Sequence, residues 1–351
     1  MTRKLTKVAI VGTTSWGITL AVILAKRDID VRLWARTEEE ALRLRENGPD
    51  KQQFPGLIFP TSLRVTSNLE EALSGVDALL IVVPSQTVRQ NIKLASKYLE
   101  SQTLIISAAK GLEAGSGLRM SEVISQEIAT ELRGNVCVLS GPNLYQEIAR
   151  GLPAATVIAA ADESVAKRAQ KIIQGDGFCV YTNTDVVGVE LGGALKNIIA
   201  LGAGMVDGLG LGDNAKAAFI TRGLTEMTAF AVSLGASPLT LAGLAGLGDL
   251  IATCASPLSR NHRLGFELAK GRTLDEATSS MNGVAEGVTA LKVVHDMAKD
   301  MKLEMPTTEN LYSVLYESAD PGKVIRNLIN AHGKNELSGK RWKLASLFSR
   351  R

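Results

Sequence analysis

Residues 7–35 read KVAIVGTTSWGITLAVILAKRDIDVRLWA, and the changes of character within them decide the fold. Lys7 to Val11 is a short β-branched run, Gly12 to Gly17 a turn of small and hydroxyl residues, Trp16 to Arg27 an apolar helix, and Val31 to Ala35 a second strand. That is a βαβ opening. The charge-free run from Val8 to Ala25 after Lys7 imitates an export signal, but the glycine and hydroxyl turn inside it means strand, turn and helix instead. The turn Gly12-Thr13-Thr14-Ser15-Trp16-Gly17 approximates the G-x-G-x-x-G of dinucleotide crossovers. There the glycines make the tight turn, admit the pyrophosphate and let the helix pack. Thr14 replaces the middle glycine, while Ser15 can donate to a phosphate at the helix amino end. A flavodoxin-like turn without nucleotide is the competing reading.

Past the second strand, Arg36 stands where an NAD-selective site carries an acid for the ribose hydroxyls. A guanidinium suits a 2′-phosphate, so NADP(H) is favoured and NAD(H) is the second option; a plain solvated charge is the bland alternative. Further strands are expected at 77–83, 103–107, 136–139, 154–159 and 178–181, with helices near 86–98, 120–132, 143–150 and 163–174. This alternation predicts an α/β, Rossmann-like, doubly wound and mostly parallel sheet over residues 1–184. Ligands in such sheets sit beyond the carboxyl ends of the strands, where Pro84 and the run Ser107 to Gly111 lie. Lys110 is thereby aimed at the crevice, unless it is an ordinary surface lysine.

After Asp185 helical patterns take over, predicting an all-helical domain over 185–335 and a basic, flexible tail over 336–351. Residues 185–206, DVVGVELGGALKNIIALGAGMV, set Lys196 among apolar and small neighbours on every helical face. Desolvation favours the neutral amine, which suits acid/base work on a carbonyl or alcohol; a lysine that snorkels to the surface is the alternative. In GLAGLGDLIATCASP (243–257), Asp249 is a lone acid in a small, apolar loop. It calls for a cationic partner, Lys196, or else caps a helix. Ser256 and Pro257 read as an N-cap and first helical residue, placing Arg260 and Asn261 near an anion-binding helix start. His262 and Arg263 add to that field or are surface. Val288, Leu291, Val294, Ala298 and Met301 keep helical spacing and are core. The histidines His262, His295 and His332 form no constellation, which shifts proton transfer to lysine.

A net charge of +3 and 4% aromatic content argue against a nucleic-acid partner and for a small anionic one. Cys137, Cys179 and Cys254 are too scattered for a disulfide framework or a metal site, so a reducing cytoplasm is expected. The uncharged run Met227 to Gly248 is broken by Pro238 and reads as a buried helix followed by a loop. The tail interleaves Lys334, Lys340, Arg341, Lys343, Arg350 and Arg351 with Trp342, Leu344, Leu347 and Phe348. It reads as a disordered basic tail or a weak membrane-surface helix.

Taken together, TTSWG (13–17), AAKGLE (108–113), LSGPN (139–143), ELGGALKNIIALGAGMVDGLGLGDNAKAA (190–218), GLAGLGDLIATCASPLSRN (243–261) and VAEGV (284–288) form a specific set. The chain resembles the bacterial NAD(P)-dependent glycerol-3-phosphate dehydrogenases over nearly its whole length, the tail excepted. The resemblance implies hydride transfer between nicotinamide and the central carbon of dihydroxyacetone phosphate or glycerol 3-phosphate, in support of phospholipid synthesis. It makes Lys196 the proton donor and acceptor, oriented by Asp249 and Asn197. It assigns Lys110, Gly141, Thr253, Ser259, Arg260 and Asn261 to the substrate. Gly12, Ser15, Trp16, Gly17, Arg36, Lys110, Tyr145, Arg260, Val284 and Glu286 fall at cofactor positions, and a homodimer is implied. A β-hydroxyacid dehydrogenase and a non-catalytic nucleotide sensor are the alternatives.

Thr14, Asn143 and Tyr145 depart from the family pattern, which usually has glycine, serine and a small residue there. Thr14 can approach a pyrophosphate if its φ stays negative. Thr14→Gly is expected to tighten NADPH binding by less than ~1.5 kcal/mol; a titration in which the glycine variant binds more weakly refutes this.

Overall fold

The computed structural model describes residues 6–279, 281 and 283–329. The basic tail, on which the expectation of membrane contact rests, and His332 lie outside the described residues. The strands are β1 (Lys7–Val11), β2 (Asp30–Trp34), β3 (Leu63–Thr66), β4 (Ala78–Ile81), β5 (Leu104–Ser107), β6 (Val136–Ser140), β7 (Ala154–Ala159) and β8 (Phe178–Asn183). They form one sheet in the order β3-β2-β1-β4-β5-β6-β7-β8, parallel except between β6 and β7. The strand order reverses between β1 and β4, and such a switch point opens a crevice at the carboxyl ends.

Seven helices cover the two faces: α1 (Ser15–Ala25), α2 (Glu38–Asn47), α3 (Leu69–Leu73), α4 (Val88–Ala95), α5 (Met120–Glu127), α6 (Tyr145–Ala149) and α7 (Glu163–Ile173). Val8 and Ile10 pack with α1 and α7, while Ala9 and Val11 pack with α4 and α5. Burial on both faces explains why the central strands are near-continuous apolar runs. Neither β3 nor α2 is marked by such a run. β3 is a four-residue edge strand with Arg64 exposed, and α2 buries only Ala41 and Leu44.

The second part consists of α8 (Val186–Gly208), α9 (Gly212–Ser233), α10 (Pro238–Leu241), α11 (Asp249–Ala255), α12 (Arg260–Ala269), α13 (Leu274–Ser279), α14 (Glu286–Asp300), α15 (Pro306–Tyr316) and α16 (Pro321–Ile329). The run Met227 to Gly248 is more structured than a helix and a loop: α9 ends at Ser233, α10 follows, and Leu244–Gly248 forms a π-helical turn. Among the described residues two stretches, Val186–Gly208 and Pro238–Ala255, are long and apolar enough to cross a membrane, but the first is 83% buried within the fold. It is the axis of the helical core. A Cβ on Gly204 would lie 1.9 Å from the His262 carbonyl oxygen, and one on Gly265 1.8 Å from that of Leu201. Only glycine lets α8 and α12 meet backbone to backbone.

The two parts are fastened by Glu190 of α8. Its carboxylate accepts from Arg119 Nη1 at 2.6 Å, from the Ser121 amide at 2.8 Å and from the Ser121 hydroxyl at 2.6 Å. Burial pushes the Glu190 carboxyl up, against the pull of the Arg119 guanidinium. Glu190→Ala strands Arg119 with Glu122 as its remaining carboxylate partner. It is expected to cost about 3 kcal/mol in urea unfolding; a loss below about 1 kcal/mol, the size of a surface pair, shows the fastening to be unimportant.

Candidate active site

Lys196 projects from the middle of α8 and is 7% exposed. Its Nζ donates to Asp249 Oδ1 at 2.5 Å and to Thr253 Oγ1 at 2.6 Å. Asp249, 1% exposed, is neither a loop residue nor an N-cap: the small residues before it wind into the π turn and lead directly into α11. A Cβ on Gly192 would lie 2.4 Å from the Ala245 carbonyl oxygen, so α8 presses against that turn and brings Asp249 to Lys196. Lys110, beyond the end of β5, donates to Asp249 Oδ2 at 2.7 Å and to the Gly141 carbonyl at 2.8 Å. Burial pushes the Lys110 ammonium down to about 8, with Asp249 opposing the shift. Two cations share one carboxylate, leaving a charge of +1 in a mostly dry site.

At the start of α12 the cap is Ser259, not Ser256. Its hydroxyl accepts from the His262 amide, whereas Ser256 belongs to the preceding turn and accepts from the amides of Leu258 and Ser259. Arg260 and Asn261 therefore occupy the first two helical positions, and their N–H groups lack intrahelical partners. The Asn261 carboxamide is committed elsewhere: it donates to Asn197 Oδ1 at 2.9 Å and accepts from the Gly287 amide at 3.0 Å. Asn197 donates in turn to the Gly193 carbonyl. Asn197 thus braces α12 and α14 against α8 and makes no hydrogen bond to the Lys196 ammonium. His262 is not a surface residue; it is buried, with Nε2 2.7 Å from Asp207 Oδ2.

The glycine turn follows β1 at the point where the strand order reverses. Gly12 has φ +119°, and a Cβ there would lie 2.4 Å from the Val82 carbonyl oxygen. Thr14 sits at φ −63°, where its hydroxyl caps α1 through the Gly17 amide and donates to the Val82 carbonyl. The turn accepts a threonine without backbone strain. Gly17 completes the tight packing, Ser15 donates to Gln53 at 2.7 Å, and Trp16 packs edge-on against Phe178. Tyr145 packs against Phe54, Arg36 and Val284 are exposed, and Arg36 reaches Asn91 at 3.4 Å. An open helix amino end behind a close-turning glycine fits a pyrophosphate.

Ser85 escapes sequence reasoning, although Pro84 just before it marks a strand end. The Glu286 carboxylate accepts from both its amide, at 2.9 Å, and its hydroxyl, joining α14 to the sheet. Asn143 donates to Thr156, and its side-chain oxygen is buried with no hydrogen-bond partner among the described residues.

Residues 7–166 match the family model described as the N-terminus of NAD-dependent glycerol-3-phosphate dehydrogenase, and residues 185–326 match its C-terminus. The chain belongs to the NAD-dependent glycerol-3-phosphate dehydrogenase family. A protein of Dehalococcoides mccartyi named glycerol-3-phosphate dehydrogenase [NAD(P)+] is 55% identical over 99% of this chain and 97% of its own. One of the same name from Enterococcus faecalis is 45% identical over 94% and 97%. The crystal structure of the glycerol-3-phosphate dehydrogenase of Coxiella burnetii superposes with a TM-score of 0.87 at 38% identity, covering 93% of this chain and 99% of that one.

Because the cationic form of Lys110 is the one that attracts an anion, its charge is lost as pH rises through about 8. The kcat/KM for a phosphorylated substrate is expected to fall above that pH. In Lys110→Arg, which stays charged, the fall should move to higher pH; an unmoved limb assigns the titration to another group.

Proposed function

We propose that the protein interconverts dihydroxyacetone phosphate and glycerol 3-phosphate. The observation that carries this reading is the buried Lys196–Asp249–Lys110 cluster in a chain of this family. Lys196 gives its proton to the carbonyl oxygen during reduction and retrieves it from the alcohol during oxidation. Asp249 and Thr253 hold the ammonium in place by accepting its hydrogen bonds. Lys110, Gly141 and Ser259 border the substrate. The Arg260 guanidinium and the N–H groups of Arg260 and Asn261 receive the phosphate. A bound nicotinamide would supply the hydride to the carbonyl carbon in reduction and accept it in oxidation, and Gly12, Ser15, Trp16, Gly17, Arg36, Lys110, Tyr145, Arg260, Val284 and Glu286 would hold it.

Arg36 supports a preference for NADP(H), and the family resemblance supports a cytoplasmic homodimer that feeds phospholipid synthesis. Purified protein should oxidise NADPH with dihydroxyacetone phosphate as the sole added acceptor, at a higher kcat/KM than with NADH. Lys196→Met should lose at least ~10²-fold in turnover, the lower range for acid/base catalysis, while binding cofactor normally. A variant that retains a tenth of the activity removes Lys196 from this role, and an NADH efficiency equal to that of NADPH removes the preference.

A further inference from the structure

The turn that would receive the cofactor has an acid fastened to it. Glu40, half-buried in the first turn of α2, accepts a hydrogen bond from the Thr13 hydroxyl at 2.5 Å. Thr13 follows Gly12 in the glycine turn, so this bond runs from the start of α2 to the pyrophosphate cradle. The Glu40 backbone is fixed as well, because its amide donates to the Thr37 hydroxyl that caps α2. Glu38, two residues earlier, is committed away from the turn, to Arg45 and the Ser67 hydroxyl. Arg36, on the opposite side in charge, is exposed just past β2.

In doubly wound sheets an acid some twenty residues beyond the glycine turn receives the ribose hydroxyls of NAD, and an arginine near that place accommodates the 2′-phosphate of NADP. Here Arg36 holds the usual place of the acid, and an acid arrives instead from α2. We infer that Glu40 determines cofactor specificity: its carboxylate accepts from the ribose hydroxyls of NAD(H) and opposes the 2′-phosphate of NADP(H), limiting the preference that Arg36 creates. The two side chains act in opposition on the same end of the cofactor, so the chain binds both forms. This inference rests on the dehydrogenase reading above.

The test is a fluorescence titration of the full chain with NADH and with NADPH, without substrate, for the wild type, Glu40→Gln, Glu40→Lys and Arg36→Ala. Removing the carboxylate is expected to raise the ratio Kd(NADH)/Kd(NADPH) by about tenfold, the size of a partly screened like-charge contact. Glu40→Lys should raise it further, Arg36→Ala should lower it, and added salt should shrink each change. A ratio within about twofold of wild type in both Glu40 variants, smaller than any unscreened contact of this kind, overturns the inference. Reduction of dihydroxyacetone phosphate by the wild type is measured alongside. Its absence with cofactor binding intact counts against the dehydrogenase reading, while an unchanged ratio counts against Glu40 alone.

Discussion

One carboxylate, that of Asp249, holds two ammonium groups out of water. Burying a charge is expensive unless it is paired, and a triplet of two cations and one anion is only partly compensated. An anion bound beside the cluster would supply the missing negative charge. Lys110 comes from the sheet, whereas Lys196 and Asp249 come from the helical part. The cluster therefore exists only when both parts are folded and docked. Glu190 and Glu286 reinforce that docking from α8 and α14, each gripping residues of the sheet part.

The second constraint is the backbone contact between α8 and α12. Glycines at 204 and 265 remove the side chains that would hold these helices apart. Closeness puts the amino end of α12 beside the helix that carries Lys196, so the N–H groups at that helix start and the Lys196 ammonium lie on two helices in direct backbone contact. The Asn197–Asn261–Gly287 hydrogen bonds then set the rotation of α12 and α14 about α8. Polar groups buried in this way specify one arrangement of helices only when every partner is satisfied. Asn261 thus serves by geometry, with its side chain inside the scaffold and its N–H at the site.

Much of this was legible from residue chemistry. The opening βαβ unit, the parallel order that follows it and the apolar surroundings of Lys196 all express burial, which leaves a strong periodic or compositional trace. Features decided by the surface or by small residues left little trace. β3 and α2 are half solvent-facing, so their residues are chosen for solubility. The run from Gly243 to Gly248 looks like a loop because glycine usually signals one; here the glycines instead permit a π-helical turn to pack against α8. The sequence points to Ser256 as the cap of α12 because Ser256-Pro257 and Ser259 both satisfy the local rules, and the choice of Ser259 depends on where α12 meets α8. Asn197 illustrates the limit of adjacency in sequence: it follows Lys196, yet its amide points along another face of the helix.

Glu286 shows how a docking group can keep acceptor capacity in reserve. Ser85 engages the carboxylate twice, through its amide and its hydroxyl, and burial pushes the carboxyl up while these donors pull it down. A carboxylate offers roughly four lone-pair sites, so two remain after Ser85 is satisfied. A further donor would add to the Ser85 contact and not compete with it. A hydroxyl donor could therefore bind this carboxylate without breaking the contact that joins α14 to the sheet.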